Sequence, residues 1–372
     1  MSAPLSVPGM ARRITPSRLT LARRLKGSTQ AALAKDMGIT PGAVSQFEKG
    51  LSQPSPETLE QISMLLKVNP SFLWRDEVDE GLQPFFRSLV RVPAAERERA
   101  RAYAVIMSDV VSAIDEVIEL PKVVIHSHGG ADPETTTAEI EHAAIRARAA
   151  WRVPPGPVAN VTSMAEARGV VVAAVGDFHA GIDAFTLKDP VRPVVVLCSE
   201  KGVATRRRFD LAHELGHVVL HAHRDENLRW QEPQAQRFAS ALLMPEDEIR
   251  GYLPTRGDDL RALERIAYDW GVSMQAALVR ARDLGSIDDA ELSRGMRRMS
   301  AAGWRRREPI EVGPPEKPTL LQKALSSLEA AGSSLQHLAD DIGLPVARLT
   351  RMLQIPEDFD DTRRGQVVNL RE

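Results

Sequence analysis

Cysteine is nearly absent: the 372 residues hold one, Cys198. No disulfide can form within the chain, and a reducing compartment is the expectation. Cys198 ends the apolar run Val194-Val195-Val196-Leu197-Cys198 and reads as a core residue rather than a nucleophile. Long hydrophobic stretches are also lacking. No run approaches the ~18 apolar residues that mark a membrane span, and the N-terminus shows no apolar leader. The expectation is a cytoplasmic protein without a membrane partner. Net charge is small, at -2, but it is unevenly spread: residues 1–75 carry ten Lys and Arg against four Asp and Glu. A basic segment on an acidic remainder points to a local polyanion site. The length allows two or three domains.

From Ser17 to Trp74 short helices alternate with Gly and Pro. The first ends at Gly27. Ser28 or Thr29 caps a second, Gln30–Met37, with Leu33, Ala34 and Met37 inward. Thr40 caps a third, Pro41–Lys49, with Pro at its first position and Gly50 after it. A fourth, Pro56–Leu66, turns Leu59, Ile62, Leu65 and Leu66 inward. Two helices joined by Gly-Ile-Thr within such a unit describe a helix-turn-helix. The segment TQAALAKDMGITPGAVSQFEKGLSQPSPETLEQIS resembles the Xre (Cro/C1-type) DNA-binding family, with Gln30, Ala34, Gly38, Val44, Ser45, Glu48, Gly50 and Pro54 in place. The resemblance implies a partner, double-stranded operator DNA, and a third helix in its major groove. Pro41, Gly42, Ser45 and Gln46 then face base edges, Gln30 and Lys49 lie near phosphates, and Thr40 belongs to the same DNA-binding set. Base readout would rest on Gln46 and Ser45, since Pro41 and Gly42 lack side-chain donors. One copy per chain on a two-half-site operator implies a homodimer.

Residues 85–120 read as helix, and His126 and His128 as solvated loop histidines. From Pro133 an α+β pattern begins. Helices are expected over Glu139–Trp151 and Val161–Arg168, and strands over Val170–Val175, Ile182–Leu187 and Val194–Ser199, with a turn at Asp189-Pro190.

The next stretch, Arg208-Phe209-Asp210-Leu211-Ala212-His213-Glu214-Leu215-Gly216-His217, contains the pattern H-E-x-x-H. On a helix, positions i and i+4 differ by ~40° in azimuth, so His213 and His217 project from one face. Two neutral imidazoles so spaced can grip one Zn2+ at ~2.0–2.1 Å. Glu214 can then serve as general base on a water that attacks a peptide bond. This helix is apolar nearly all round, where such groups are costly unless paired or ligated.

A third ligand has two candidates. His223 stands ten residues after His213, as in metzincins, but Leu220 occupies the position where those enzymes need Gly to turn the chain. His221 and His223 are therefore expected at a frayed helix end. Glu232 shares the buried stripe of its helix with Ala235, Ala239 and Leu242. Asp225, Glu226 and Glu246 read as surface acids. Asp210 either orients a ligand imidazole or meets the helix dipole. Arg206, Arg207 and Arg208 would oppose that dipole and are expected just before the helix, near substrate carbonyls, an acidic partner or solvent.

The segments RRFDLAHELGHVVLH, ExQAQRFASALLMP and WGVSMQAALVRARDLG resemble the ImmA/IrrE family of metallo-endopeptidases over about residues 160–285. The resemblance implies His213, His217 and Glu232 as zinc ligands and Glu214 as the catalytic acid/base. Beyond Pro309, Pro314, Pro315 and Pro318, the segment SLQHLADDIGLPVARLTRML echoes a helix-turn-helix of mixed charge, expected to serve interaction rather than DNA.

The expected fold is multidomain and mainly α with an α+β part. It comprises an N-terminal four- or five-helix helix-turn-helix domain (14–75), a helical connector (76–132) and a central zincin-like metallopeptidase domain (133–295). A Pro-rich linker (296–318) and a C-terminal helical helix-turn-helix-like segment (319–356) follow. The expected function is a sequence-specific transcriptional regulator whose zinc metallopeptidase domain cleaves a repressor or partner protein. The alternatives are an antitoxin that represses its own operon and binds a toxin, or a ligand sensor built on a non-proteolytic peptidase fold.

Overall fold

The computed structural model describes residues 13–78, 84–86, 92–125, 130–175, 178, 182–187, 191–198, 203–222, 229–305 and 307–355. His126, His128, His223, Asp225, Glu226 and the Asp189-Pro190 turn lie outside them. The chain divides into two compact units. One comprises residues 1–80, 93–117 and 327–366, the other 81–92, 118–326 and 367–372. Elements are numbered in chain order.

The first unit opens with α1 (Pro16–Lys26), α2 (Gln30–Met37), α3 (Pro41–Glu48) and α4 (Pro56–Leu66). Thr29, Thr40 and Ser55 each cap the helix that follows, their hydroxyl oxygens accepting from the N–H of Ala32, Ala43 and Thr58. Gly38 leaves α2 in the left-handed region, φ 68°, which makes the turn into α3 tight. Leu19, Leu33, Val44, Ile62 and Leu66 form the core. Glu48 ties three helices together: it accepts from Arg23 Nη2 at 2.9 Å and from Gln30 Nε2 at 2.6 Å.

The expected helix over 85–120 is corrected. Pro84–Phe86 is a strand, β1, and the helix, α5, runs from Ala94 to Asp115. Pro93 sits at its N-cap, where a residue without an N–H costs nothing. Arg18 of α1 pairs with Asp109 of α5.

The C-terminal helices α15 (Leu335–Ile342) and α16 (Val346–Met352) belong to this same unit. Their Gly343 turn packs on the 3-10 turn Pro70–Trp74, with Asn69 N–H donating to the Gly343 carbonyl at 2.9 Å. Arg348 donates to the carbonyls of Leu66 and Lys67, both at 3.0 Å, and so closes the C-terminus of α4. Tyr103 of α5 donates to the Met352 carbonyl at 2.8 Å. These contacts spend the turn and a cation of the second helix-turn-helix-like pair on packing within its own unit.

The second unit holds a four-stranded sheet in the order β1-β3-β4-β2, where β2 is Val171–Val175, β3 Ala184–Leu187 and β4 Val194–Cys198. β2 and β4 are parallel, while β3 is antiparallel to β4 and to β1. β2 and β3 are buried along their whole length, as a near-continuous run of apolar residues requires. Around the sheet come α6 (Thr137–Ala150), α7 (Val161–Glu166), α8 (Ala204–Leu220) and α9 (Gln231–Leu243). They are followed by α10 (Glu246–Ile249), α11 (Leu260–Trp270), α12 (Met274–Asp283) and α13 (Asp289–Ala301). Arg280 of α12, fully buried, donates to Glu141 of α6 at 2.9 Å and to the Met244 carbonyl at 2.9 Å. Arg237 of α9 reaches the same Glu141 at 2.8 Å and Asp283 at 2.6 Å. This network fixes α9 against its neighbours.

The Pro-rich stretch is held by carboxylates at helix N-termini. Glu308 accepts from the N–H of Met274 at 2.9 Å, and Glu316 from that of Thr162 at 2.8 Å. Glu166 in turn accepts from Leu320 N–H at 3.0 Å, the start of α14 (Leu320–Ala330). Burial pushes the Glu166 and Glu308 carboxyls up, against the pull of these N–H groups. Among the described residues no helix is long and apolar enough to cross a membrane.

Two glycines isolate the packing at the C-terminal helices. Both Gly343 (φ 77°) and Gly332 (φ 84°) are left-handed, but a Cβ at 343 would stand 2.3 Å from Phe72 N while one at 332 would meet nothing within 4 Å. Gly332→Ala is expected to cost about 1 kcal/mol through backbone strain, and Gly343→Ala about 2–4 kcal/mol. Thermal unfolding of both variants checks this; equal shifts would refute the docking of the Gly343 turn.

Candidate metal centre

Helix α8 carries the H-E-x-x-H residues, and from Asp210 to Leu220 every position is buried. His213 and His217 face each other one turn apart, Nε2 to Nε2 at 3.1 Å. Helix α9 brings Glu232 opposite them, with Oε2 3.4 Å from His213 Nε2 and Oε1 3.4 Å from His217 Nε2. Gly216 allows the approach: a Cβ there would lie 3.1 Å from Ala235 Cα and 3.2 Å from Phe238 Cδ1, both on α9.

The donor set and its spacing fit one cation. Ligands ~2.0–2.1 Å from an ion at tetrahedral angles stand roughly 3.3 Å apart. The closest approaches, 3.1 Å between the two ring nitrogens and 3.4 Å from each ring to a separate oxygen of the Glu232 carboxylate, are of that order. Among the described residues, His213, His217 and Glu232 form a group whose ligand atoms all lie within 4.8 Å of one another. Burial pushes the Glu232 carboxyl up, and positive charge at the His213 and His217 rings pulls it down, to about 2; a cation between the rings supplies that charge when their Nε2 atoms are unprotonated. The carboxylate thus stays anionic toward a cation between it and the rings. His223, the other candidate, falls outside the described residues.

Glu214 is 1% exposed, and its Oε2 accepts the Thr186 hydroxyl of β3 at 2.7 Å. Thr186 carried no motif in the sequence; only its place in a strand packed under α8 reveals it. The expected frayed end at His221 is corrected. That ring is fully buried, 3.1 Å from His217 Nδ1 and 3.0 Å from Gln234 Oε1, with Trp230 edge-on at 5.5 Å. The spacing of His221 four residues after His217 was the available signal.

The expectation that Arg206–Arg208 precede the helix is also corrected, since α8 starts at Ala204. Arg206 and Arg208 have local compensation, while Arg207 feels only the charge of Glu316 and keeps two buried nitrogens without a hydrogen bond. Arg208 pairs with Glu316 and donates to the Gly271 carbonyl at 3.0 Å and the Val158 carbonyl at 2.5 Å. Arg206 meets Asp183 at 2.8 Å and Asp210 at 3.8 Å, which sets Asp210 beside a cation on its own helix. A cleft of about 1070 Å³ runs alongside, lined by Phe209 and Asp210 before His213 and by Pro233 and Gln236 after Glu232.

In the first unit, Pro41, Gly42, Gln46 and Lys49 are exposed on or just after α3, and Ser45 is half-buried. Thr40 is engaged as the cap of α3 and Gln30 on Glu48.

Comparison with known proteins agrees with both units. Residues 165–282 match the family model of the IrrE N-terminal-like domain of M78 peptidases, and residues 19–73 match that of a helix-turn-helix. An uncharacterized HTH-type transcriptional regulator of Sinorhizobium fredii is 36% identical over 63 residues, 17% of this chain and 44% of that protein. Another, from Sinorhizobium medicae, is 34% identical over 65 residues, 18% of this chain and 47% of that protein. The chain spans less than half the length of these curated relatives. It carries an Xre-like helix-turn-helix domain and, after it, an IrrE/ImmA-like domain.

A divalent ion held by this group would draw on all three side chains. Glu232→Ala is expected to lower Zn2+ affinity more than about 100-fold, beyond the loss typical of a residue that only supports a ligand. Titration against a chromophoric chelator measures it, and an unchanged affinity would remove Glu232 from the ligand set.

Proposed function

We propose that this chain is a DNA-binding transcriptional regulator whose second domain is a zinc metallo-endopeptidase acting on a protein partner. The observation that carries the hydrolytic half is the convergence of His213, His217 and Glu232, the ring nitrogens 3.1 Å apart and a carboxylate oxygen 3.4 Å from each. Two imidazoles and a carboxylate, leaving a fourth position for water or substrate, are the donors of catalytic zinc. A bound divalent ion supplies Lewis-acid polarisation of a water and of the scissile carbonyl.

The chain's own residues do the rest. Glu214, buried beside the triad and hydrogen-bonded by Thr186, takes the water's proton and passes it to the leaving amine. Its burial excludes bulk solvent from that transfer. A cleft of about 1070 Å³, lined by sequence neighbours of His213, Glu214 and Glu232 and not by those residues themselves, has the volume of a ligand site.

For the other half, the exposure of Gln46 and Lys49 supports α3 as the recognition helix, with Gln46 reading a base and Lys49 a phosphate. Ser45, Pro41 and Gly42 lie along the same approach, and Thr40 and Gln30 hold the helix that presents them. One such domain per chain and paired half-sites call for a homodimer. Cleavage of a repressor or partner would then couple the two domains to one regulatory outcome.

Glu214→Gln is expected to keep metal and operator binding and to abolish cleavage of a partner encoded beside the chain's own gene. Incubation of purified partner with wild type and variant tests this. Regulation that survives in the variant would sink the proteolytic reading in favour of a toxin-binding antitoxin or a ligand sensor. On an operator found by selection from random DNA, Gln46→Ala should cost about 1–3 kcal/mol and relax the preference at one base, while Lys49→Ala weakens all sequences alike. Electrophoretic titration over a salt series separates the two, and an unaffected base preference in Gln46→Ala would exclude it from readout.

A further inference from the structure

The histidine triad does not end at its inner face. His217 Nδ1 lies 3.1 Å from His221 Nδ1, His221 Nε2 lies 3.0 Å from Gln234 Oε1, and Gln234 Nε2 lies 2.7 Å from the Asp132 carbonyl. His217 and His221 are fully buried and Gln234 nearly so. The direction of every proton in this line follows from its far end.

A backbone carbonyl only accepts, so the Gln234 amide nitrogen faces Asp132 and its oxygen faces His221. An amide oxygen also only accepts, so His221 carries its proton on Nε2. The other nitrogen of a neutral imidazole is then a bare acceptor. That acceptor meets His217 Nδ1, which must therefore be the donor. His217 is left with an unprotonated Nε2 directed at His213 and Glu232, an arrangement that a cation between them stabilises.

The end of the line is itself anchored. Ala131 N–H donates to the Leu220 carbonyl at 2.8 Å, which ties residue 131 to the end of α8. Asp132 Oδ1 accepts from Glu134 N–H at 2.9 Å, closing a turn around the carbonyl that Gln234 uses. Trp230 packs edge-on to the His221 ring and limits its rotation.

We propose that His221 and Gln234 are positioning residues for the metal centre: a relay from the Asp132 carbonyl that fixes the tautomer and ring orientation of His217 so that its Nε2 lone pair faces the ion. Neither touches the ion. The relay sets the metal-ready form before any ion arrives, so its effect is on affinity. The proposal rests on the metal-centre reading above.

Two measurements test it on the full-length chain. The first is a long-range 15N–1H spectrum of the metal-free protein at neutral pH. It should show His217 protonated at Nδ1 and His221 at Nε2; a proton on His217 Nε2 overturns the relay. The second is Zn2+ affinity by chelator competition. His221→Leu removes the acceptor and should weaken binding about 10–100-fold. His221→Asn puts an amide oxygen near the Nδ1 position and should recover most of the loss. An affinity unchanged in His221→Leu, or equal losses in Leu and Asn, overturns the proposal. If His221→Leu does not fold, the spectrum of the unaltered protein still decides. Failure of the unaltered chain to bind Zn2+ would sink the metal reading, whereas the imidazole spectrum needs no metal.

Discussion

The second unit is organised around one close approach, that of α8 to α9 at Gly216 and Ala235. A Cβ at 216 would press on Ala235 Cα at 3.1 Å. The convergence of His213, His217 and Glu232 tolerates little displacement, because each ring nitrogen already has a Glu232 oxygen at 3.4 Å. A side chain at 216 would push α9 outward and carry Glu232 with it. The glycine inside the H-E-x-x-H run is thus a condition for Glu232 to meet the two histidines, since backbone contact here sets side-chain convergence.

Holding so many polar groups inside a buried helix requires that each have a counterpart. The solutions differ along α8. At its start, three arginines work against the helix dipole, and the unit answers with carboxylates from elsewhere in its own chain, Asp183 and Glu316. In its middle, Glu214 is met by a hydroxyl from the sheet. At its end, His221 passes its demand through Gln234 to a backbone carbonyl. The Arg280–Glu141–Arg237 network does for α9 what these do for α8: it prevents sliding that would misalign Glu232. Separating one member of such a network would leave a buried charge uncompensated, which opposes any shift of the helices that carry it.

Legibility in the sequence followed the range of each interaction. The cap at Thr40, one at Ser28 or Thr29, and the boundaries of α4 are local, and the order of Pro, Gly and hydroxyl residues was enough to read them; the Ser55 cap came only from the structure. His213, Glu214 and His217 were readable because one helix fixes their spacing. Glu232 needed the apolar stripe of a second helix, which says which way a carboxylate points but not what it meets. Thr186 lies 28 residues before Glu214 and Asp132 lies 102 before Gln234, so neither contact leaves a periodic trace. The arginine run was misplaced because the dipole argument treats a helix end in isolation; Glu316, 108 residues downstream of Arg208, removes the penalty. The short strand at Pro84–Phe86 was read as helix because its partner, β3, is a hundred residues away.

The Pro-rich stretch shows the same principle from the other side. Its composition suggests a free tether, since proline supplies no N–H and favours extended chain. Yet Glu308 and Glu316 lie between and beside those prolines, and each carboxylate closes the exposed N–H groups at the start of a helix in the second unit. Glu166 completes the exchange by capping the helix that follows. Prolines keep the stretch extended, and the acids fasten it at intervals. A segment that forms no regular structure of its own is therefore still part of the scaffold, and Arg208 gains its counter-charge from it. Helix α8 depends on this strap as directly as on the strand beneath it.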